Sequence, residues 1–254
     1  MYDVNDFSNF MKKLLAALFL VLSCSVVFAQ DDFKFPTESD YPKLPASARN
    51  FNEFIPPNWK LMGKATGDLN GDKTQDAVLV VQGTYPEFVQ KNDGMGSGEF
   101  DTNPRMLIIL LKNSAQNNYE LAEQSKTFII TPDSPTMTEP FQSVKIAGSV
   151  LQLNFEIFYS AGSWGTSQAS YKFKRINGEF TLIGADKTES MRNSGETETR
   201  SYNFLTNKMS VTTGNFSENA KAKTKWKTYK VGKLKTFRTF IKPFDWEVEK
   251  DYFL

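Results

Sequence analysis

The stretch SVLQLNFEIFYS, residues 149–160, sends Leu151, Leu153, Phe155, Ile157 and Tyr159 to one side and Gln152, Asn154 and Glu156 to the other. That period of two belongs to a half-buried strand, and a helix cannot satisfy it. Two-residue turn signals divide the neighbouring segments. In SYKFKRINGEFTLIGAD the pair Asn177-Gly178 supplies the two positive-φ residues of a tight hairpin. Thr206-Asn207 and Ala147-Gly148 are read as the turns of SYNFLTNKMSVTTG and VKIAGSVLQL. Further strands are expected over residues 60–65, 77–81, 106–112, 119–127 and 225–231. About ten strands with almost no helical period predict an all-β chain of antiparallel meanders forming packed sheets, either a sandwich or a small propeller-like arrangement. No internal repeat supports the propeller.

With 40% hydrophobic residues the chain can bury a substantial core, and a formal charge of +1 argues against nucleic acid as a partner. It contains no histidine, which removes the commonest general base and transition-metal ligand. The one cysteine, Cys24, lies in MKKLLAALFLVLSCSVVFAQ, residues 11–30, which has the charged start, apolar run and small-residue exit of a secretory signal. Residues 1–29 are therefore assigned as signal peptide, with Met11 as the true start. Two processing routes stay open: cleavage before Gln30, giving a secreted or periplasmic protein, or lipidation of Cys24, giving an outer-membrane lipoprotein. The apolar run is shorter than the ~20 residues of a spanning helix, and no other segment can span a bilayer. Residues 30–57 read as a polar arm with one short helix, capped by Ser47 and stopped by Pro56-Pro57. Residues 58–254 read as a single β-rich domain.

One segment has the spacing of a defined chemistry. TGDLNGDKTQDAVLVV places Asp68, Asn70, Asp72 and Asp76 within nine residues and runs into a β-branched strand. Calcium takes six to eight hard oxygen ligands, and a tight loop delivers them when carboxylates and amides alternate with residues pointing away. Asp68, Asn70 and Asp72 alternate in this way, the carbonyl of Thr74 adds an oxygen, and Asp76 binds directly or through water. The competing reading is a polar turn whose side chains only satisfy backbone donors. Where a helix-loop-helix calcium site ends in Glu, this loop has Leu79, so it is not an EF-hand.

DLNGDKTQD resembles the FG-GAP or VCBS-type calcium loop, D-x-[ND]-x-D-G-x-x-D between two strands, with every acidic or amide position filled. The departure is Lys73, where the pattern has Gly. A left-handed residue there costs about 1–2 kcal/mol without glycine, so binding should weaken and persist. FIPPNWKLMGKATGDLNGDKTQDAVLVV and GEFTLIGAD together look like an uncharacterised group of secreted bacterial β-proteins carrying one such loop. In many-copy FG-GAP proteins the ion braces a propeller blade, so the resemblance implies a structural Ca2+ ion here.

Three other features have two readings each. The glycine-punctuated loop KNDGMGSGEFDTNPR offers Asp93, Glu99 and Asp101 for ligand binding, or is a solvated hairpin tip. Trp164, between glycines in SAGSWGTS, is a sugar-stacking platform or a core residue. The lysine-rich KAKTKWKTYKVGKLKTFR holds phosphate or an acidic glycan, or is an edge strand that buries Trp226 and defends itself with lysines. For catalysis, the acids Glu139, Glu156, Glu179 and Asp186 are scattered along the chain, and no nucleophile elbow or phosphate loop is present. The sequence thus points to a non-catalytic, extracytoplasmic binding or structural domain with a glycan or envelope-protein partner. The alternative is an extracytoplasmic hydrolase using a carboxylate pair or calcium.

Overall fold

The computed structural model describes residues 33–218 and 221–254. The signal-like segment, Cys24 and both processing routes lie outside these residues. In chain order the strands are β1 (Ser47–Ala48), β2 (Trp59–Gly67), β3 (Asp76–Gly83), β4 (Val89–Lys91), β5 (Glu99–Asp101), β6 (Arg105–Asn113), β7 (Asn118–Ser125) and β8 (Phe141–Ala147). They continue with β9 (Val150–Ile157), β10 (Gly165–Ile176), β11 (Glu179–Met191), β12 (Glu196–Asn203), β13 (Lys208–Asn215), β14 (Lys223–Thr228), β15 (Glu247–Glu249) and β16 (Tyr252–Phe253). The fold is all-β. A five-stranded sheet in the order β1-β7-β6-β3-β2 packs on a seven-stranded sheet that runs β14 to β8 without a crossover; β4-β5 and β15-β16 form small ribbons.

The two sheets meet through alternate residues. Val78 and Val80 of β3 and Leu107 and Ile109 of β6 join Leu151, Leu153, Phe155, Tyr171 and Phe173 of the large sheet in one buried cluster. Phe128, in the β7–β8 connection, is its hub, with ring centroids of Phe155, Phe173, Phe237 and Phe240 at 6.0, 5.4, 4.9 and 5.4 Å, all edge-on. Edge-to-face geometry matches the positive rim of one ring to the negative face of the next. The intervening residues Ala77, Leu79, Val81, Met106, Ile108 and Leu110 point the other way, where Leu44, Phe54 and Trp59 from the N-terminal arm and the start of β2 bury them. The runs AVLVV and RMLIILL are continuous rather than alternating because both of their faces are covered.

Glycines set the seam between the sheets. A Cβ at Gly67 would stand 2.7 Å from Ile146 Cγ2, and one at Gly63 would stand 3.0 Å from the Phe141 ring. Their absent side chains let β8 pack directly on β2.

The hairpin at Asn177-Gly178 has φ of 49° and 87°, as its sequence demands. The β8–β9 turn is shifted by one from its sequence reading: Ala147 pairs with Val150, and Gly148 and Ser149 carry the positive φ. The arm's short helix is a single 3-10 turn, Phe51–Phe54. Its cap is Asn50, whose side chain accepts from the amide of Asn52, while Ser47 pairs with Glu120 in β1. Asn50 wins because it also receives Glu53 in a reciprocal capping box. In β14 all six residues are exposed, Trp226 at 73%, so no aromatic is buried there.

Candidate functional site

The acidic loop joins β2 to β3, and successive side chains turn its backbone. Asp68 Oδ1 accepts from the amides of Asn70 (3.1 Å) and Gly71 (2.6 Å), and Oδ2 accepts from Lys73 (2.9 Å). Asn70 Oδ1 accepts from the Asp72 amide at 3.0 Å. Asp72 Oδ1 accepts from the Thr74 amide and hydroxyl at 2.8 and 2.5 Å. These contacts repeat a side-chain-to-backbone turn at every second residue, which is why Asp and Asn occupy those positions. Lys73 has φ 67°, in the left-handed region assigned to the sixth position of the loop. Leu69, 2% exposed, plugs the loop into the main core.

Asp76 behaves differently from its neighbours. It is fully buried, with Oδ2 accepting from the Leu69 amide at 2.7 Å and Oδ1 from the Lys112 amide at 2.8 Å. The carboxylate therefore clamps the loop to β6. Burial pushes its pKa up, against the two amides that pull it down, and the charges of Asp72 and Asp68 add to the rise. Asp72, open to water, is held below its usual value by the Thr74 hydroxyl and amide.

The donor set is all hard oxygen. Among the described residues no Lys or Arg forms an ion pair with Asp68, Asp72 or Asp76. Nor do three acidic side chains converge into a ready-made cage among the described residues. A carboxylate offers about four lone-pair sites, so the amides bonded to Asp68 and Asp72 leave room for a cation. Asp68, Asn70, Asp72, the Thr74 carbonyl and Asp76 fit Ca2+ as a chemical set; Asp68 and Asp76 each have both oxygens bonded to backbone amides, which leave lone pairs free on both carboxylates.

The remaining sequence candidates separate. Asp93 pairs with Lys91 at 2.7 Å on the surface, and Glu99 is exposed. Asp101 receives the Asn103 amide and side chain at 2.9 and 2.8 Å, a turn-forming role. The tip of that hairpin is ordered: the Asn92 side chain donates to the carbonyls of Met95 and Ser97, and Ser97 donates its amide to Pro135. Trp164 stands in the β9–β10 connection and is 63% exposed, so it is not a core residue. Of the scattered acids, Glu139 clamps Arg105 through two bonds of 2.8 and 2.7 Å, and Glu179 is exposed at the β10–β11 turn. Glu156 and Asp186 share a shallow cavity of about 320 Å³ on the outer face, where Asp186 is held by Lys172 and Ser201.

The largest cavity described, about 760 Å³, lies elsewhere, at the end of β9–β13. A second of about 350 Å³ shares Ile157, Tyr159, Ser167 and Glu189 with it. Glu189 and Glu198 face each other across β11 and β12. No sequence motif marks them, because their meeting depends on strand register. Comparison with known proteins returns no family model, no curated protein and no solved structure that matches the chain.

Proposed function

We propose that this is an extracytoplasmic, non-catalytic binding domain whose β2–β3 turn is braced by one calcium ion. The observation that carries the reading is Lys73 at φ 67°: the chain accepts a left-handed lysine where the FG-GAP or VCBS pattern has glycine. Three carboxylates without a basic partner support a cation, since like charges crowded into one turn repel unless an ion or a proton intervenes. Asp68, Asn70, Asp72 and the Thr74 carbonyl would hold the ion directly, and Asp76 would fix the loop on β6. The extracytoplasmic placement draws on the signal-like segment alone.

Isothermal titration of metal-stripped protein tests this. One calcium site per chain, with calcium preferred over magnesium, is the expected result, and Lys73→Gly should tighten it by up to about five- to thirty-fold, the limit reached when all of the about 1–2 kcal/mol of backbone strain falls on the bound state. Absence of binding at about 1 mM calcium would reduce the loop to a polar turn.

A further inference from the structure

We propose that the free edge of β14 is the docking site of an extended acidic peptide, which joins the seven-stranded sheet as an eighth strand. β14 pairs with β13 alone and ends the sheet order on that side. All six of its residues are exposed, and among the described residues no hydrogen bond ties its outer backbone edge to another segment. An edge in this state presents a row of N–H and C=O groups to any chain that lies beside it in extended form.

The side chains select which chain that is. Lys223, Lys225 and Lys227 share one face, successive ammonium-bearing positions standing about 6.8 Å apart along the strand. None of the three enters an ion pair or a cation–ring contact among the described residues. Nor does the sheet offer them a carboxylate nearby. β13 contains no acid, and the row that starts at Lys223 passes Thr213 before it reaches Glu198, which Arg200 already holds at 2.7 Å. The row that starts at Lys225 leads through Val211 to Arg200 itself, a further cation. Lysines at alternate positions keep a second copy of the same edge away, since like charges directly across a strand pair repel. The same arrangement favours a strand with a carboxylate at every second residue, whose charges meet the ammonium groups in register.

The opposite face of β14 adds an apolar contact. Trp226, 73% exposed, stands across from Ser210, next to the hydroxyl pair of Thr224 and Thr212 at 2.8 Å. An edge kept single by charge alone would lose nothing with a polar residue there, whereas a docked strand gains an indole to pack on. Residues 221–238 hold seven lysines, one arginine and no acid, against a formal charge of +1 for the whole chain, so the field that steers an acidic segment is concentrated at this edge. The docking goes beyond the calcium reading and does not use its loop: β14 ends the large sheet, while residues 68–76 join β2 to β3 of the small one.

The test titrates the full chain with an acetylated, amidated nonapeptide of alternating threonine and glutamate, read by calorimetry and tryptophan fluorescence. Saturable one-to-one binding that weakens with added salt is expected. Lys225→Glu, at an exposed position, should weaken it about tenfold. Gathering the same glutamates at one end of the peptide should do likewise, and N-methylation of one of its two alternate sets of amides should abolish binding, because only one set faces β14. The triple variant Lys223→Glu, Lys225→Glu, Lys227→Glu should instead bind the alternating threonine–lysine peptide. Chelator and Asp72→Ala should leave the affinity unchanged, so the docking and the calcium site fail separately. No saturable binding at about 5 mM peptide would overturn the proposal. So would binding that Lys225→Glu leaves intact, equal binding of the grouped or of both methylated peptides, or binding of inorganic polyphosphate or phosphatidylglycerol vesicles in place of the peptide.

Discussion

Strands β3 and β6 are buried on both faces, whereas β10, β11 and β12 give one face to the core and the other to solvent. The same backbone geometry thus supports two kinds of sheet, distinguished by what covers them. The N-terminal arm is the second cover of the small sheet: Phe54 is fully buried against it, and Tyr41 donates to the Lys126 carbonyl at 3.2 Å. The large sheet has no such cover on its outer face, which carries hydroxyl and amide ladders such as Thr188 with Thr199 at 2.9 Å and Asn154 with Ser143 at 2.9 Å. The small sheet is thus covered on both faces and the large sheet on one, which leaves the outer face of the large sheet open to solvent.

The strongest way to break this comparison is to remove the cover. Phe54→Ala should cost about 3–5 kcal/mol in denaturant unfolding, as a buried aromatic truncation does. Thr188→Ala on the outer face should stay within about 0.5 kcal/mol. Equal losses would mean that the arm is not a structural cover.

Calcium should act on the small sheet through the β2–β3 turn. A ligand that binds only the folded state at a hundred-fold excess over Kd adds about 2.7 kcal/mol, or about 5–10 °C in Tm for a domain of this size. Asp72→Ala should abolish that difference between calcium and chelator. A Tm indifferent to calcium, with binding confirmed, would remove the brace.

The seam should respond next. Gly67→Val meets Ile146 at 2.7 Å and should lose about 1–3 kcal/mol. Adding Ile146→Ala should recover part of that loss, since neighbours in contact couple. Losses that simply add would place the strain elsewhere.

The smallest effect concerns the large sheet and the segments packed on it, where Tyr159, Tyr171, Tyr202 and Tyr252 all have raised pKa values, with burial the main cause in each. A phenol whose folded pKa exceeds its unfolded value favours the protonated fold. Its contribution is complete below about pH 10 and is lost as pH rises through the folded value, near 12 for Tyr159. Unfolding curves should therefore weaken from pH 10 upward, and Tyr159→Phe should flatten the slope.

Much of this was legible in local pattern. Alternation at residues 151–157 gave β9 its inward face, and Asn177-Gly178 gave a turn that only positive-φ residues can make. The left-handed Lys73 was expected from the loop's resemblance to the FG-GAP pattern, which has Gly at that position. The arm's function as a cover was not legible, since its apolar residues, Leu44 and Phe54 among them, follow no sustained period and acquire meaning only against β3 and β6. Nor was the facing of Glu189 and Glu198, which needs the register of β11 on β12. Trp226 misled for a related reason: alternation shows which residues share a face, and only the neighbouring sheet decides whether that face is covered.

The strand order carries a consequence for the time course of assembly. In the seven-stranded sheet every partner is the next strand in the chain, so each hairpin closes a short loop before the next is added. The small sheet instead joins β3 to β6 and finally β1 to β7, where Ser47 meets Glu120 about seventy residues away. Closing such a loop loses more chain entropy than a hairpin does, and its contacts reward the chain only once the intervening strands are in place. The arm is therefore the last part to dock and the first to leave, so transient openings should begin at β1 while the meander stays intact.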